Sequence, residues 1–241
     1  MKNFAKGLAV GLTAALMAGS ALADGKVLKF GHDNKTDPFE NPAHACTAVF
    51  SNIVNADTNG AVEVEVFGSN QLGSAAEHVQ HVRDGIIQAT LTSTGALASY
   101  YPRIDVLNLP FAFADNAATY AVFDGDFGKA LAADIEEALG DVVVLGFPDT
   151  GGFFAVTNSK HPIASLDDFD GIRIRTMTLP SHQTIIQALG AQAYPLSWGE
   201  VYSGPVLAMA DRAQSWGGYD DQAPLVALAG QIDVLFVGTG A

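Results

Sequence analysis

Apolar and polar positions alternate between two periods along the first part of the chain. Val27 to His32 is a short apolar-rich run that ends in a turn-prone Asp33-Asn34-Lys35, which predicts a first strand and its loop. Pro42 suits the first turn of a helix whose apolar positions Ala45, Val49 and Ile53, with Phe50 and Val54, recur at the 3.6 period until Asn59-Gly60 stops it. Val62, Val64 and Val66 alternate with Glu63 and Glu65, a half-exposed strand. Ser74 to Gly85 reads as a second helix. Ile86 to Thr92, nearly all apolar, reads as a buried third strand that Ser93-Thr94-Gly95 turns at its carboxyl end. The order βαβαβ predicts a parallel sheet flanked by helices, and ligands of such sheets bind at the carboxyl ends of the strands.

Two helical stretches follow between Asp115 and Gly140, through Tyr120, Phe123, Phe127, Leu131 and Ile135, and Val142 to Phe147 reads as another buried strand. A new unit then begins. Phe153 to Thr157 and Ile172 to Thr176 are predicted strands separated by the loop Asn158-Ser159-Lys160-His161-Pro162, and Pro180 opens a helix through Ile185, Ile186 and Leu189 that closes at Gly190. The α/β pattern therefore divides near Pro148, with no internal repeat.

The amino terminus changes the picture. Lys2 and Lys6 precede an uncharged stretch from Gly7 to Ala18, and Ala21-Leu22-Ala23 offers small residues where a signal peptidase reads. Residues 1–23 are expected to be a cleavable signal peptide, with first and second units at 24–147 and 148–241. Removing Lys2 and Lys6 from the 12 Lys and Arg leaves ten against 26 Asp and Glu, a formal charge of −16. Such a chain does not neutralise phosphates, so nucleic acid is excluded as a partner. The single cysteine, Cys46, cannot form an internal disulfide and reads as a buried helical thiol. An exported protein of this type reads as a bacterial periplasmic one.

Several motifs stand in order along the chain: Phe67-Gly-Ser-Asn-Gln-Leu-Gly73 followed by Glu77; Leu109-Pro-Phe111; Thr157-Asn158-Ser159-Lys160 with Pro162; Asp168-Phe169-Asp170-Gly171-Ile172-Arg173-Ile174-Arg175; Gly190-Ala191; and Trp198-Gly-Glu200-Val-Tyr202. Together they resemble the solute-binding proteins of tripartite ATP-independent periplasmic transporters, of the dicarboxylate-binding type, over about residues 26 to 203. The resemblance implies two hinged α/β lobes, a periplasmic binding protein fold with an organic acid in the cleft, and delivery of that acid to membrane subunits. It implies no reaction and no cofactor. Met209-Ala210-Asp211 and Ala213-Gln214 still match, but the tail from Gly217 does not. Against family members that are longer, the resemblance implies a truncated or frameshifted frame that lacks the bracing helix and the return of the chain to the first lobe. Leu225 to Val237 would then be exposed apolar surface.

The alternation Ile172-Arg173-Ile174-Arg175 puts both arginines on one face of a strand. A guanidinium grips a carboxylate with two parallel hydrogen bonds and keeps its charge. By resemblance Arg175 is that clamp and Arg173 a solvent-facing neighbour. The family also places a ligand-facing acid at Glu77, where Ser74-x-x-Glu77 is equally a capping box. Trp198 matches a cleft-lining aromatic or is core packing. Ser215 matches a polar contact usually held by Asn. Phe154 falls where many relatives carry a second arginine, which implies a single carboxylate clamp. His32 and Asp33 lie at a strand's carboxyl end and are placed to line the cleft, as are Thr92, Ser93 and Thr94.

His78 and His81, three apart beside Glu77, share a helix face and read as metal ligands or, more readily, as solvated helix residues. A periplasmic metal-binding protein and an exported hydrolase are the alternatives. No Gly-x-Ser-x-Gly elbow supports the second, and Gly238-Thr239-Gly240-Ala241 lacks the helix that would complete a dinucleotide turn.

Overall fold

The structure, a computed structural model, describes residues 26–156, 160–201, 215–216 and 230–239. The expected signal peptide, Thr157 to Ser159 and the segments 202–214 and 217–229 lie outside the described residues.

The parallel sheet begins as expected. Strands β1 (Lys26–Gly31), β2 (Val62–Phe67) and β3 (Ala89–Ser93) lie in the order β2-β1-β3, all parallel, with Phe30, Val64, Ala89 and Leu91 buried between sheet and helix. Helix α1 (Pro42–Asp57) starts where Asn41 accepts a hydrogen bond from the His44 amide. Its buried face is not the expected one. Ala43 and Thr47, with Phe50 and Val54, face the sheet, while Val49 and Ile53 are 57% and 54% exposed. Apolarity alone misassigned the stripe because Thr47 counts as polar; its hydroxyl donates to His44 O at 2.9 Å, so burying it costs little.

Helix α2 (Ala75–Arg83) leads into β3 later than the apolar run suggests. Gly85 takes φ 71°, and the amides of Ile86 and Ile87 bond back to His81 O, so the ladder starts at Ala89 and Ile86 is exposed. Ser93-Thr94-Gly95 is no turn: the Ser93 hydroxyl caps a short helix α3 (Thr94–Leu97).

Helices α4 (Asn116–Phe123) and α5 (Asp126–Leu139) close the first core around Ile104, Phe123, Leu131 and Ile135. Strand β4 (Val142–Gly146) is half-exposed rather than buried, with Val143 and Leu145 facing outward, because only one of its faces meets α5.

The return to the first lobe, expected to be missing, is present. After β5 (Asp149–Ala155) come β6 (Arg173–Thr176), α6 (Pro180–Ala188), β7 (Gln192–Pro195), the short β8 (Ser215–Trp216) and a long β9 (Gly230–Gly238). β9 runs antiparallel to both β3 and β4, and its first residues pair with β5. Val234, counted as exposed tail surface, is fully buried in the first core. The two strands predicted in this unit lie in different sheets: β5 joins β9 and β8, while β6 pairs parallel with β7. The second core gathers Phe154, Val156, Ile163, Phe169, Ile172, Ile174 and Ile186. The fold is thus two α/β lobes, with β5 and β9 passing between their cores. Among the described residues no helix is long and apolar enough to cross a membrane.

Candidate functional site

A cleft opens between the carboxyl ends of the first-lobe strands and the β6-β7 edge of the second lobe. Alternation in β6 buries Ile174 in the second core, and Arg175 lies on the cleft side, only 3% exposed. The β6-β7 register sets Arg175 opposite Tyr194, which brings Leu196 into reach. Arg175 Nε and Nη2 donate to Leu196 O at 3.1 and 2.6 Å, and the guanidinium carbon stands 5.6 Å from the centre of the Trp198 ring. One carbonyl and one aromatic face therefore fix the plane of a permanent cation in the wall of the cleft. Arg173, expected to face solvent, is half-buried.

Across from it, the loop after β1 contributes Asp33 and Asn34, the β2-α2 loop contributes Asn70, and the first turn of α2 contributes Ser74. Ser93 comes from the end of β3 and Gly95 from α3. A cavity of about 90 Å³ lies between these residues and Arg175, Met177 and Trp198. A larger one of about 520 Å³ adjoins it, sharing Asp33, Asn34, Asn70, Trp198 and Gly199. The wall combines amides, hydroxyls and the Asp33 carboxylate with apolar side chains around one buried cation, a surface suited to an anion that also carries hydrogen-bonding groups.

The other expected contacts sit elsewhere. His32 is fully buried and not in the wall: its Nδ1 accepts from the Asn34 amide at 3.1 Å, which makes its Nε2 the protonated nitrogen that donates to His44 Nδ1 at 2.9 Å. It shapes the loop that presents Asp33 and Asn34. Burial, and then the neighbouring His44 and His78, push its pKa down to about 4. Thr94 is buried behind Ser93, with its hydroxyl on Asn108 Oδ1 at 3.2 Å. Glu77 is exposed and outside the wall; its Oε2 accepts from the Ser74 amide at 2.7 Å and the Ser74 hydroxyl at 2.8 Å, bonds that hold its carboxyl below the usual range. Phe154 is packed in the second core, edge-on to His182 at 5.0 Å. For Ser215 the backbone pairs with Ala155; its side chain lies outside the described residues.

The two helix histidines also differ from expectation. His78 is not solvated but fully buried on the sheet face of α2 with Val79 and Val82, and His81 bonds Leu72 O at 3.0 Å through Nδ1. Among the described residues no three His, Cys, Asp or Glu side chains are grouped to hold a metal. Cys46 is half-buried rather than buried. Sequence reasoning missed Asn70, Met177, Thr178 and Ser197 as wall residues. The signal for Asn70 was its place in a turn-rich loop, where asparagine tolerates positive φ.

The sequence profile of the bacterial extracellular solute-binding proteins, family 7, matches residues 34–204, and the chain belongs to that family. It is 30% identical over 202 residues to the 2,3-diketo-L-gulonate-binding periplasmic protein YiaO of Escherichia coli strain K12, covering 83% of this chain and 57% of that protein. To the C4-dicarboxylate-binding periplasmic protein DctP of Rhodobacter capsulatus it is 32% identical, covering 81% and 58%. A crystal structure of a TRAP periplasmic solute-binding protein from Xanthobacter autotrophicus Py2, with bound β-D-galacturonate, superimposes with a TM-score of 0.76 at 27% identity, over 88% of this chain and 72% of that one. The chain spans about half the length of the curated relatives it matches.

Proposed function

We propose that the chain is the ligand-binding portion of a periplasmic receptor that captures an organic acid and hands it to the membrane subunits of a tripartite transporter. The observation that carries this reading is Arg175: a buried cation, oriented by Leu196 O and Trp198, in the wall of an interlobe cleft. A carboxylate takes a bidentate grip from such a fork, and Trp198 shields the pair from water. Two lobes, divided near Pro148, close on the anion by bending at β5 and β9, and binding is driven by higher affinity for the closed form. The chain catalyses nothing and works after export across the inner membrane. The acid-binding names of its relatives support this reading. By the family resemblance Phe154 stands at a second-arginine position; packed in the second core, it offers no second clamp, which supports an acid held by one carboxylate end.

The test is a thermal-shift screen of residues 24–241 against organic acids, followed by calorimetry on the hits. A saturable rise in Tm with one or more carboxylates is expected, and a lack of response to every acid together with turnover of an ester or phosphate substrate would overturn it.

A further inference from the structure

Asn70 stands out in the first-lobe wall. It lies on the loop between β2 and α2, and it and Ser69 both have positive φ, 59° and 53°. Two successive non-glycine residues in the left-handed region are strained, and backbone strain of this kind gathers at ligand sites. The side chain reaches the opposite lobe. A Cβ built on Gly199 would stand 1.9 Å from Asn70 Nδ2, so in this arrangement the amide rests directly against the Gly199 backbone. Asn70 also lines both cavities of the cleft.

The amide oxygen is the telling atom. Oδ1 is buried and has no hydrogen-bond partner among the described residues. A buried acceptor without a donor costs free energy, and a ligand that brings a donor to it recovers that cost on binding. A carboxylate brings no donor; a hydroxyl does. Around the same cavity, Ser74 and Ser197 have their hydroxyl protons committed to Glu77 and Glu200, so toward a ligand they act as acceptors, which again suits a hydroxyl donor.

We infer that Asn70 reads a hydroxyl group of the bound acid, its Oδ1 accepting from that hydroxyl while Gly199 leaves the space the amide occupies. This rests on the reading that the cleft binds an organic acid at Arg175. The carboxylate end is then held from the second lobe and the hydroxylated part from the first, so a full set of contacts exists only when the lobes meet. A site built to pair with a hydroxyl rejects the analogue that lacks it more strongly than an apolar site rejects a missing methylene. The receptor therefore prefers hydroxylated acids to hydroxyl-free ones.

The experiment is calorimetry with D-galacturonate, D-erythronate and succinate on the full chain and on two variants. Asn70→Gly removes the acceptor but keeps a residue at ease with positive φ, so it folds with an unchanged Tm. It should weaken the best hydroxylated acid by about tenfold or more and leave succinate within about twofold. Asn70→Asp keeps the acceptor; its charge weakens all anions, but the preference for hydroxylated acid over succinate persists. Unaltered affinity of Asn70→Gly for the hydroxylated acid, an equal loss for succinate, or a wild-type chain that binds succinate alone overturns the inference while leaving the carboxylate receptor standing. Failure of the wild type to bind any acid is the different result that removes the proposed function itself.

Discussion

At the scale of single residues, the cleft depends on how a guanidinium is held rather than on its charge. Nε and Nη2 of Arg175 both point at Leu196 O, an arrangement that a lysine, with one nitrogen on a flexible stem, cannot reproduce. Arg175→Lys should weaken carboxylate binding by about 1.5–3 kcal/mol in calorimetry, the worth of a charge-assisted hydrogen bond, with an unchanged fold. Arg173→Lys, one strand period away, is the silent control. Equal affinity for both variants would remove the clamp. Glu77 makes the opposite forecast. Its carboxylate is committed to Ser74 at the start of α2, and Gln closes a capping box as well as Glu does. Glu77→Gln should keep both Tm and affinity, and a large loss of binding at constant Tm would show that the charge meets the ligand. Alternation put Arg173 and Arg175 on one strand face, and only the family resemblance singled out Arg175. The role of His32 was not legible: its position at a strand's carboxyl end is shared by wall and support residues, and only the hydrogen bonds to Asn34 and His44 tell them apart.

At the scale of elements, patterning served best where one face of a strand or helix alone is apolar. β2, with glutamates between valines, and α6, between Pro180 and Gly190, came out close to their bounds. The pattern failed on α1, which is apolar on two sides, and on β4, whose apolar run looks buried yet meets a helix on one side only. The largest omission was β9. Its pairing partners β3, β4 and β5 lie between about 75 and 150 residues earlier in the chain, a separation that no local periodicity reveals. Its weight in the fold can be measured. Val234 is fully buried opposite Thr92, so Val234→Asp buries an unpaired carboxylate at a cost of several kcal/mol and should abolish cooperative thermal unfolding. Val143→Asp, on the outward face of β4, should unfold with a Tm close to wild type. A Val234→Asp chain that melts like the wild type would place β9 outside the core.

At the scale of the whole molecule, both lobes enclose histidines that must stay neutral. His32 and His78 in the first lobe and His182 in the second each have a pKa lowered to about 4, burial being the main cause in every case. His44 and His78 add repulsion at His32; His81 adds it at His78, where Glu77 opposes it; Arg175 adds it at His182, where Asp105 opposes it. An unfolded chain takes up a proton on each near pH 6.5, the folded chain only near pH 4, so unfolding is favoured by acid. The stabilising difference is whole above pH 6.5 and is lost as pH falls from 6.5 towards 4, on the order of 3 kcal/mol per histidine by the lower limit. The hydrogen bonds that cap Glu77, Asp168 and Glu200 hold their carboxyls below the ordinary range as well, but these groups are exposed and solvent screens their contribution. Tm should therefore drop as pH falls from 6.5 towards 4, the window set by the three buried histidines. His78 allows the cause to be isolated, because neither of its ring nitrogens has a hydrogen-bond partner among the described residues. His78→Leu fills a similar volume and surrenders no bond, so it should match or exceed the wild-type Tm at pH 7 and show a visibly shallower fall towards pH 4.5. Parallel Tm curves for the two proteins across that range would mean that His78 does not carry the acid sensitivity, and that the slope belongs to the remaining pair, one in each lobe.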